Sequence, residues 1–273
     1  MKIQARPSEK LCNSSQPPVQ NQVRLNKALA DAGLCSRRKA DELVMQGLVS
    51  VNGQIVRELG LRVLPGRDRI TVNGKELHTA PTERIWLALH KPVQVVCTAS
   101  DPEGRTTVID ILPDKWKAKR LFPVGRLDYF SEGLVLLTND GEAAQHILHP
   151  RYEAQRSYHV LVREKPTLAA LESMRAGMRL AEGEQLAPVR VRTLPSSQLL
   201  KQLSTSACLL EISLVQGLNR QIRRMCRDLG LTILRLVRVS HGPVQLGNLK
   251  PGEVRELTGH ELAAIKKKGK STS

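Results

Sequence analysis

The sequence predicts an α+β protein of two domains, in which a small helix–helix–hairpin module precedes a larger domain with a mixed, mostly antiparallel sheet. The first third of the chain has two helical repeats of apolar residues and then β-like runs separated by Asn-Gly turns. Farther along, strand-like apolar runs alternate with helical patterns. We place the domains at residues 23–82 and 83–262, between a disordered tail at 1–22 and a flexible basic tail at 263–273.

The small module is predicted from two helices and two turns. Apolar residues at helical spacing from Leu25 to Ala32 predict the first helix, which Gly33 ends. Ser36 is suited to cap the second helix, which Gly47 ends. Two Asn-Gly pairs then lie between β-like runs, which is the strongest short signal for a hairpin.

The larger domain contains six runs with the composition of buried strands. These runs are Ile85–Leu89, Val95–Thr98, Gly133–Thr138, Tyr158–Val162, Cys208–Val215 and Ile233–Val239. Helical patterns at 142–148 and 168–178 separate some of them. The mixture predicts helices packed on a largely antiparallel sheet.

The charge of the chain favours a polyanionic partner. Its 42 Lys and Arg against 26 Asp and Glu give a net charge of +16 and a pI near 10.1. Such an excess favours nucleic acid over the alternative of a merely basic soluble protein. Aromatic residues are only 3% of the chain, which argues against a sheet that stacks several bases on aromatic rings.

Several classes of protein are disfavoured by what the sequence lacks. No apolar stretch is long enough to cross a bilayer, and the first residues lack the apolar core of a signal peptide. The five cysteines are scattered and form no CxxC pair, so we expect reduced thiols and a cytoplasmic protein. No metal-ligand cluster or Gly-rich phosphate loop appears, so we expect neither a metal nor a cofactor.

The second predicted helix begins with three cations, Arg37, Arg38 and Lys39. Positive side chains in a first turn oppose the helix dipole, so a structural helix would prefer acidic residues there. A solvated, slightly unfavourable helix start is the alternative, but we favour phosphate contact.

The segments 24–27, 33–40 and 47–53, which read RLNK, GLCSRRKA and GLVSVNG, resemble the RNA-binding domain first seen in ribosomal protein four of the small subunit. The resemblance implies that Arg24, Lys27 and the basic helix start bind structured RNA. The module occurs in many proteins, so it indicates a ligand and no reaction.

A carboxylate, Asp128, lies in a loop that leads directly into the apolar run 133–138. A carboxylate on such a rigid element suits a nucleophile or an acid–base group. The alternative is a turn or capping Asp, which the local pattern alone favours.

A second feature is the predicted helix after Gly217. Its apolar residues lie opposite a stripe of arginines, Arg220, Arg223, Arg224 and Arg227. A solvated basic face is one interpretation. Because the four guanidinium groups would repel one another, we expect an anion partner: RNA phosphate, Asp128 or both.

The segments 125–141, 156–158 and 217–225, which read GRLDYFSEGLVLLTNDG, RSY and GLNRQIRRM, resemble the three catalytic motifs of pseudouridine synthases. The loop at 101–105 and the order of the two domains are similar to the RsuA/RluB/RluF branch, which modifies ribosomal RNA. The resemblance runs from about residue 23 to residue 262.

This resemblance implies a role for four residues. Asp128 would be the catalytic carboxylate, as nucleophile or as base. Arg126 would help to displace the target base, Tyr158 would stack on the flipped uracil, and Arg223 would pair with Asp128. We expect Arg220 and Arg224 to contact RNA.

The implied function is conversion of a specific uridine to pseudouridine in ribosomal RNA or pre-ribosomal particles by a monomeric enzyme, with no membrane partner. The residues of the third motif favour RNA of the large subunit as the substrate. The alternatives are a transfer RNA pseudouridine synthase and a non-catalytic ribosome-assembly factor. The intact Asp128, Tyr158 and Arg223 argue against the assembly factor. Two residues depart from the family pattern: Gln94 stands where Gly is usual, and Ser131 stands where Thr is frequent. We expect neither exchange to affect a catalytic role.

Overall fold

The computed structural model describes residues 22–77, 83–149, 154–195 and 207–268. They fall into two compact units that divide between residues 82 and 83, the boundary expected from the sequence. The predicted tail at 1–22 lies outside the described residues, except for its last residue.

The first unit contains two helices, α1 (Leu25–Asp31) and α2 (Arg37–Met45). The hydroxyl of Ser36 caps α2 as predicted, because it accepts a hydrogen bond from the Lys39 backbone N–H at 3.2 Å. Leu29 and Ala40 are fully buried where the two helices face the same small core. This core fixes both helices to the strands that follow.

Six short strands complete the first unit. They are β1 (Val23–Arg24), β2 (Val49–Val51), β3 (Gln54–Val56), β4 (Arg62–Val63), β5 (Ile70–Val72) and β6 (Lys75–Glu76). β1 pairs with β4, and the other four form an antiparallel sheet in the order β3-β2-β5-β6. Asn52-Gly53 and Asn73-Gly74 have positive φ at both residues, as type I′ turns require. Both predicted hairpin turns are confirmed.

The second unit is built on a nine-stranded sheet. Its strands are β7 (Trp86–Lys91), β8 (Phe122–Val124), β9 (Glu132–Thr138), β10 (Arg156–Val162), β11 (Arg190–Thr193), β12 (Cys208–Leu214), β13 (Ile233–His241), β14 (Val244–Gln245) and β15 (Val254–Glu256). The main order is β11-β12-β10-β13-β9-β7-β15, with β14 on β13 and β8 on β9. Only the pair of β9 and β13 is parallel among the strand pairs of the described residues. The predicted mixed, mostly antiparallel sheet is confirmed.

Five helices pack on this sheet in the described residues. They are α3 (Asp114–Lys117), α4 (Gly141–Leu148), α5 (Leu168–Ala176), α6 (Gln221–Asp228) and α7 (Gly259–Lys268). The structure differs from the predicted boundary at Leu262, since α7 continues to Lys268 and Ile265 is only 3% exposed. Burial of Ile265 against the hydrophobic core extends the helix into part of the stretch expected to be a flexible tail.

The central strand β9 is buried on both faces. Leu134 and Leu136 point into one hydrophobic cluster, whereas Val135 and Leu137 point into another. This continuous apolar strand forms a rigid base directly after the loop that carries Asp128.

The segment Val95–Thr98, predicted as a strand, is not one. Only Val96 makes a β-bridge, with Thr107. Just before it, Gln94 has a φ of 61°, which turns the chain out of the strand direction. The apolar side chains that suggested a strand, Val95 and Cys97, are buried in a loop.

Gly133 permits the parallel pair of β9 and β13. It pairs with Arg238 and has a φ of 110°. A Cβ at this position would lie 2.4 Å from the Arg238 carbonyl oxygen and 2.5 Å from its nitrogen, which are backbone atoms that cannot rotate away. Any side chain here would force the two strands apart.

We expect Gly133→Ala to lower the free energy of unfolding by about 3 kcal/mol or more, since it combines overpacking with a strained φ. Urea denaturation monitored by circular dichroism measures the change. Gly141→Ala is the matched control, because a Cβ there meets open space at a helix start. Equal stabilities of the two variants would contradict the role given to Gly133.

Candidate active site

Asp128 lies in the tight turn that leads into β9. The backbone N–H of Ser131 donates to the Asp128 carbonyl at 3.0 Å, and that of Gln94 donates to the Tyr129 carbonyl at 2.8 Å. These bonds fix the turn from within and from the neighbouring loop. The Asp128 side chain is 37% exposed, so it stays accessible from the solvent.

The guanidinium of Arg223, on α6, joins the Asp128 carboxylate to the backbone that follows it. Its Nε lies 3.6 Å from Asp128 Oδ2, which is an ion pair without a hydrogen bond. Its Nη2 donates to the Phe130 carbonyl at 2.8 Å and to Ser131 Oγ at 3.0 Å. Burial lowers the pKa of Arg223, and the charge of Asp128 opposes that shift. The structure thus brings together the two residues that the resemblance pairs.

Tyr158 lies on β10, beside the same turn. It stands opposite Arg238 of β13, and a shift of register between Ser157 and Tyr158 leaves Val239 as an extra residue. Such a bulge re-aims side chains, and bulges are common beside active sites. Tyr158 lines the same cleft as Asp128.

The cleft above these residues has a volume of about 560 Å³ and a strongly positive lining. Its lining residues include one carboxylate, that of Asp128. Five guanidinium groups line it, those of Arg126, Arg156, Arg220, Arg223 and Arg238. The cleft is therefore suited to an anionic ligand that must approach a carboxylate.

Arg220 and Arg224, both expected to contact RNA, have different surroundings. Arg220 is the residue before α6, in a left-handed conformation, and lines the cleft. Arg224 is ion-paired with Glu182, at 3.0 Å, and with Glu184. Arg227 also pairs with Glu182, at 2.7 Å.

Besides Asp128, the anion partners of the arginine stripe therefore include Glu182 and Glu184, which the sequence analysis did not foresee. Hydrogen bonds from Arg227 and Arg224 lower the pKa of Glu182 to about 2. Glu182 lies some forty residues before the helix, so no local pattern reveals the pairing.

The sequence analysis assigned no role to two residues that lie next to the site in the structure. Ser131, noted only as a departure, is 1% exposed and accepts the hydrogen bond from Arg223. It therefore contacts Arg223, the residue that the resemblance pairs with Asp128. Gln94 has a positive φ, which explains why Gly is usual at this position.

Lys91 is the last residue of β7. It is fully buried, and its ammonium donates to the carbonyls of Pro92 at 2.7 Å and Val95 at 2.8 Å. Burial lowers its pKa to about 8, although Cys97, Asp128 and Glu132 favour the charged form. Lys91 thus holds the loop that supports the Asp128 turn.

The residues expected to bind RNA in the first unit lie at the start of its helices. Arg24 and Arg38 are exposed. Lys27 pairs with Asp31 at 3.7 Å, Arg37 donates to Asn26 Oδ1 at 3.3 Å, and Lys39 pairs with Glu42 at 2.8 Å. That last contact raises the pKa of Lys39.

No group of three or more His, Cys, Asp and Glu in the described ranges is placed to hold a metal ion. Within the same ranges, no helix combines the length and apolar character needed to span a bilayer.

Two family models match the chain. Residues 85–228 match the RNA pseudouridylate synthase family, and residues 23–69 match the S4 domain. The first match includes Asp128, Tyr158 and Arg223 but ends before Arg238, and the second includes the basic helix start.

Named relatives match over most of the chain. It is 41% identical over 243 residues to ribosomal large subunit pseudouridine synthase B of Bacillus subtilis, covering 89% of this chain and 95% of the relative. It is 37% identical over 241 residues to the dual-specificity RNA pseudouridine synthase RluF of Escherichia coli, covering 88% and 77%. A crystal structure of a pseudouridylate synthase superposes with a TM-score of 0.62 at 27% identity, covering 89% of this chain and 99% of that one.

The fold and the cleft define an RNA-modifying enzyme with an added RNA-binding domain. The chain belongs to the RNA pseudouridylate synthase family, whose members convert uridine to pseudouridine in RNA.

We expect Ser131→Ala to slow the reaction about fivefold, because it removes a hydrogen-bond acceptor of Arg223 worth about 1 kcal/mol. Ser131→Thr keeps the hydroxyl and should retain most activity. Single-turnover conversion of a substrate RNA measures both. Equal rates for the two variants would mean that the contact does not orient Arg223.

Lys91 should make stability depend on pH between about 8 and 10.5. In that window the unfolded chain binds the Lys91 proton and the folded protein does not, so the free energy of unfolding should rise with pH. Urea midpoints at pH 7.5 and 9.5 measure this, and Lys91→Met provides the reference without the titrating group. A constant difference between wild type and Lys91→Met across the window would contradict the lowered pKa.

Proposed function

We propose that this enzyme isomerises a specific uridine of ribosomal RNA, with the large subunit favoured over the small one. The observation that carries the proposal is the ion pair of Asp128 and Arg223 in a cationic cleft. The name and 95% coverage of the Bacillus subtilis relative support the large-subunit target.

The reaction requires the target nucleotide to leave its stack. In pseudouridine formation the N1–C1′ bond of uridine breaks and a C5–C1′ bond forms, while the C5 proton is lost and N1 gains one. A stacked base cannot rotate in this way, so it must be flipped into the cleft, at a cost of about a few kcal/mol. Atoms and electrons balance without an oxidant or reductant.

Asp128 is the proposed catalytic carboxylate, acting at C1′ as nucleophile or on the sugar as base. Arg223 orients it through the ion pair and through its bonds to Phe130 and Ser131. Tyr158 lies in the same cleft, where its ring would stack on the flipped uracil. Arg126, two residues before Asp128, would help to displace the target base and contact the RNA backbone.

RNA binding is proposed for two surfaces. In the catalytic unit Arg220 faces the cleft, whereas Arg224 would reach phosphate only by exchanging its bonds to Glu182 and Glu184. In the first unit the proposed contacts are made by the basic residues Arg24, Lys27, Arg37, Arg38 and Lys39, for which the match to an S4 domain is the support.

The proposed setting is a cytoplasmic monomer that acts on ribosomal RNA or pre-ribosomal particles. All residues proposed for catalysis come from one chain, which fits a monomer.

A second RNA target is the alternative with direct support, because the Escherichia coli relative is named a dual-specificity synthase. Transfer RNA is the class that we consider for it. A non-catalytic assembly factor is less well supported, since the paired Asp128 and Arg223 would serve no purpose in it.

We expect Asp128→Asn to lower single-turnover activity about 10³-fold or more, because the amide can act neither as nucleophile nor as base. Pseudouridine in total RNA is mapped in cells that lack the gene and are complemented with each variant. Wild type should restore one or a few sites in ribosomal RNA. Asp114→Asn, which alters a carboxylate that is 98% exposed, is the matched control and should restore them too.

Restoration by Asp128→Asn would refute the catalytic assignment. A change confined to transfer RNA would favour the alternative target. No change at any site, with the protein still bound to ribosomal particles, would favour the assembly factor.

A further inference from the structure

Arg238 is a buried cation that the proposed mechanism does not use. Its side chain is among the largest fully buried ones, with an exposure of 1%. Its Nε donates to the Leu134 carbonyl at 2.7 Å, and its Nη1 donates to the Arg126 carbonyl at 3.3 Å. The third nitrogen, Nη2, has no hydrogen-bond partner among the described residues.

The two acceptors of Arg238 lie on either side of the catalytic turn. Arg126 comes two residues before Asp128, and Leu134 comes six residues after it. The backbone of Arg238 also pairs with Gly133 across the parallel pair of strands. One residue therefore holds both ends of the segment 126–134.

The other neighbour of Arg238 is Tyr158. The two residues stand opposite each other on β13 and β10, and directly opposite residues of an antiparallel pair share a face of the sheet. Arg238 thus lies between the strand that positions Asp128 and the strand that positions Tyr158.

Burying the Arg238 guanidinium costs free energy, and packing alone does not explain why an arginine occupies this position. No carboxylate among the described residues forms an ion pair with Arg238, and burial of an unpaired charge is expensive. Nearby His241 cannot compensate this charge, because an imidazole is either neutral or positive. Burial and then the charges of Arg238 and Arg156 hold the pKa of His241 well below the ordinary value. An apolar side chain of similar length would fill the space at lower cost, so the bonds to the turn supply the reason for an arginine.

We propose that Arg238 is a positioning residue that clamps the two ends of the catalytic turn and so fixes Asp128 relative to Tyr158. The proposal rests on the proposed catalytic role of Asp128. Because Arg238 donates two hydrogen bonds in different directions, lysine can replace only part of the clamp.

A direct RNA contact is the competing role, since Arg238 also lines the cleft. A residue that positions Asp128 affects the rate of the chemical step, whereas a residue that binds RNA phosphate affects the affinity for RNA. The two roles therefore separate when the rate at saturating RNA and the dissociation constant are measured independently.

The experiment compares Arg238→Met and Arg238→Lys with wild type. The control is Arg175→Met, which removes an exposed arginine that also donates to a backbone carbonyl, that of Val191 on β11. Each variant is assayed for single-turnover conversion of a ribosomal RNA fragment at saturating protein, for RNA affinity and for thermal melting. Asp128→Asn is assayed alongside.

We expect Arg238→Met to slow the saturated rate about 100-fold, the order of loss that a misplaced reacting group causes. Its dissociation constant for RNA should stay within about twofold of wild type, because the Arg238 side chain is only 1% exposed. Arg238→Lys should recover part of the rate, and Arg175→Met should keep it. If Arg238→Met does not melt cooperatively, the rate and affinity of Arg238→Lys decide the question.

Three results would overturn the proposal. A wild-type saturated rate in a folded Arg238 variant would remove any positioning role. Weaker RNA binding with an unchanged saturated rate would make Arg238 an RNA ligand. If the Arg238 and Arg175 variants both lost activity in proportion to their loss of melting temperature, Arg238 would have only a structural role. An active Asp128→Asn would instead refute the proposed function, whatever the Arg238 variants do.

Discussion

The close approach of β13 to Gly133 is the constraint on which the rest of the site depends. Because no side chain separates the strands there, β9 and β13 pair in parallel within an otherwise antiparallel sheet of described strands. That pairing brings the Asp128 turn, which precedes β9, beside β10 and its Tyr158. Three segments far apart in sequence therefore line one cleft, and a shift of β13 would separate them.

The electrostatics of the cleft follow from the same arrangement. Five guanidinium groups and one carboxylate line the cleft, a charge imbalance that suits an anionic ligand. For arginines that do not line this cleft the chain supplies its own anions, as Glu182 does for Arg224 and Arg227. A net charge of +16 therefore indicates the class of ligand without telling which arginines meet it.

The sequence predicted those parts of the molecule that local patterns determine. The Asn-Gly turns, the Ser36 cap and the apolar face of α6 follow from rules that act over a few residues. The ion pair of Asp128 with Arg223 joins residues far apart in sequence. The arginine stripe predicted an anion partner with Asp128 as one candidate, and the family resemblance singled out Arg223. The helix beyond Leu262 was missed because Ile265 is stabilised by a core formed from distant residues.

The features that the sequence analysis did not predict were missed for one physical reason. Arg238 lies in an apolar strand pattern, where an arginine looks like a solvent-facing residue until its acceptors on β9 and before Asp128 are known. Ser131 looks like a neutral exchange for threonine until Arg223 is placed against its hydroxyl. Both act through hydrogen bonds to groups about 90 or more positions away, so their roles depend on the tertiary fold. In a cleft assembled from three strands and a helix, the groups proposed to hold the catalytic residues in place are therefore the hardest to predict from sequence.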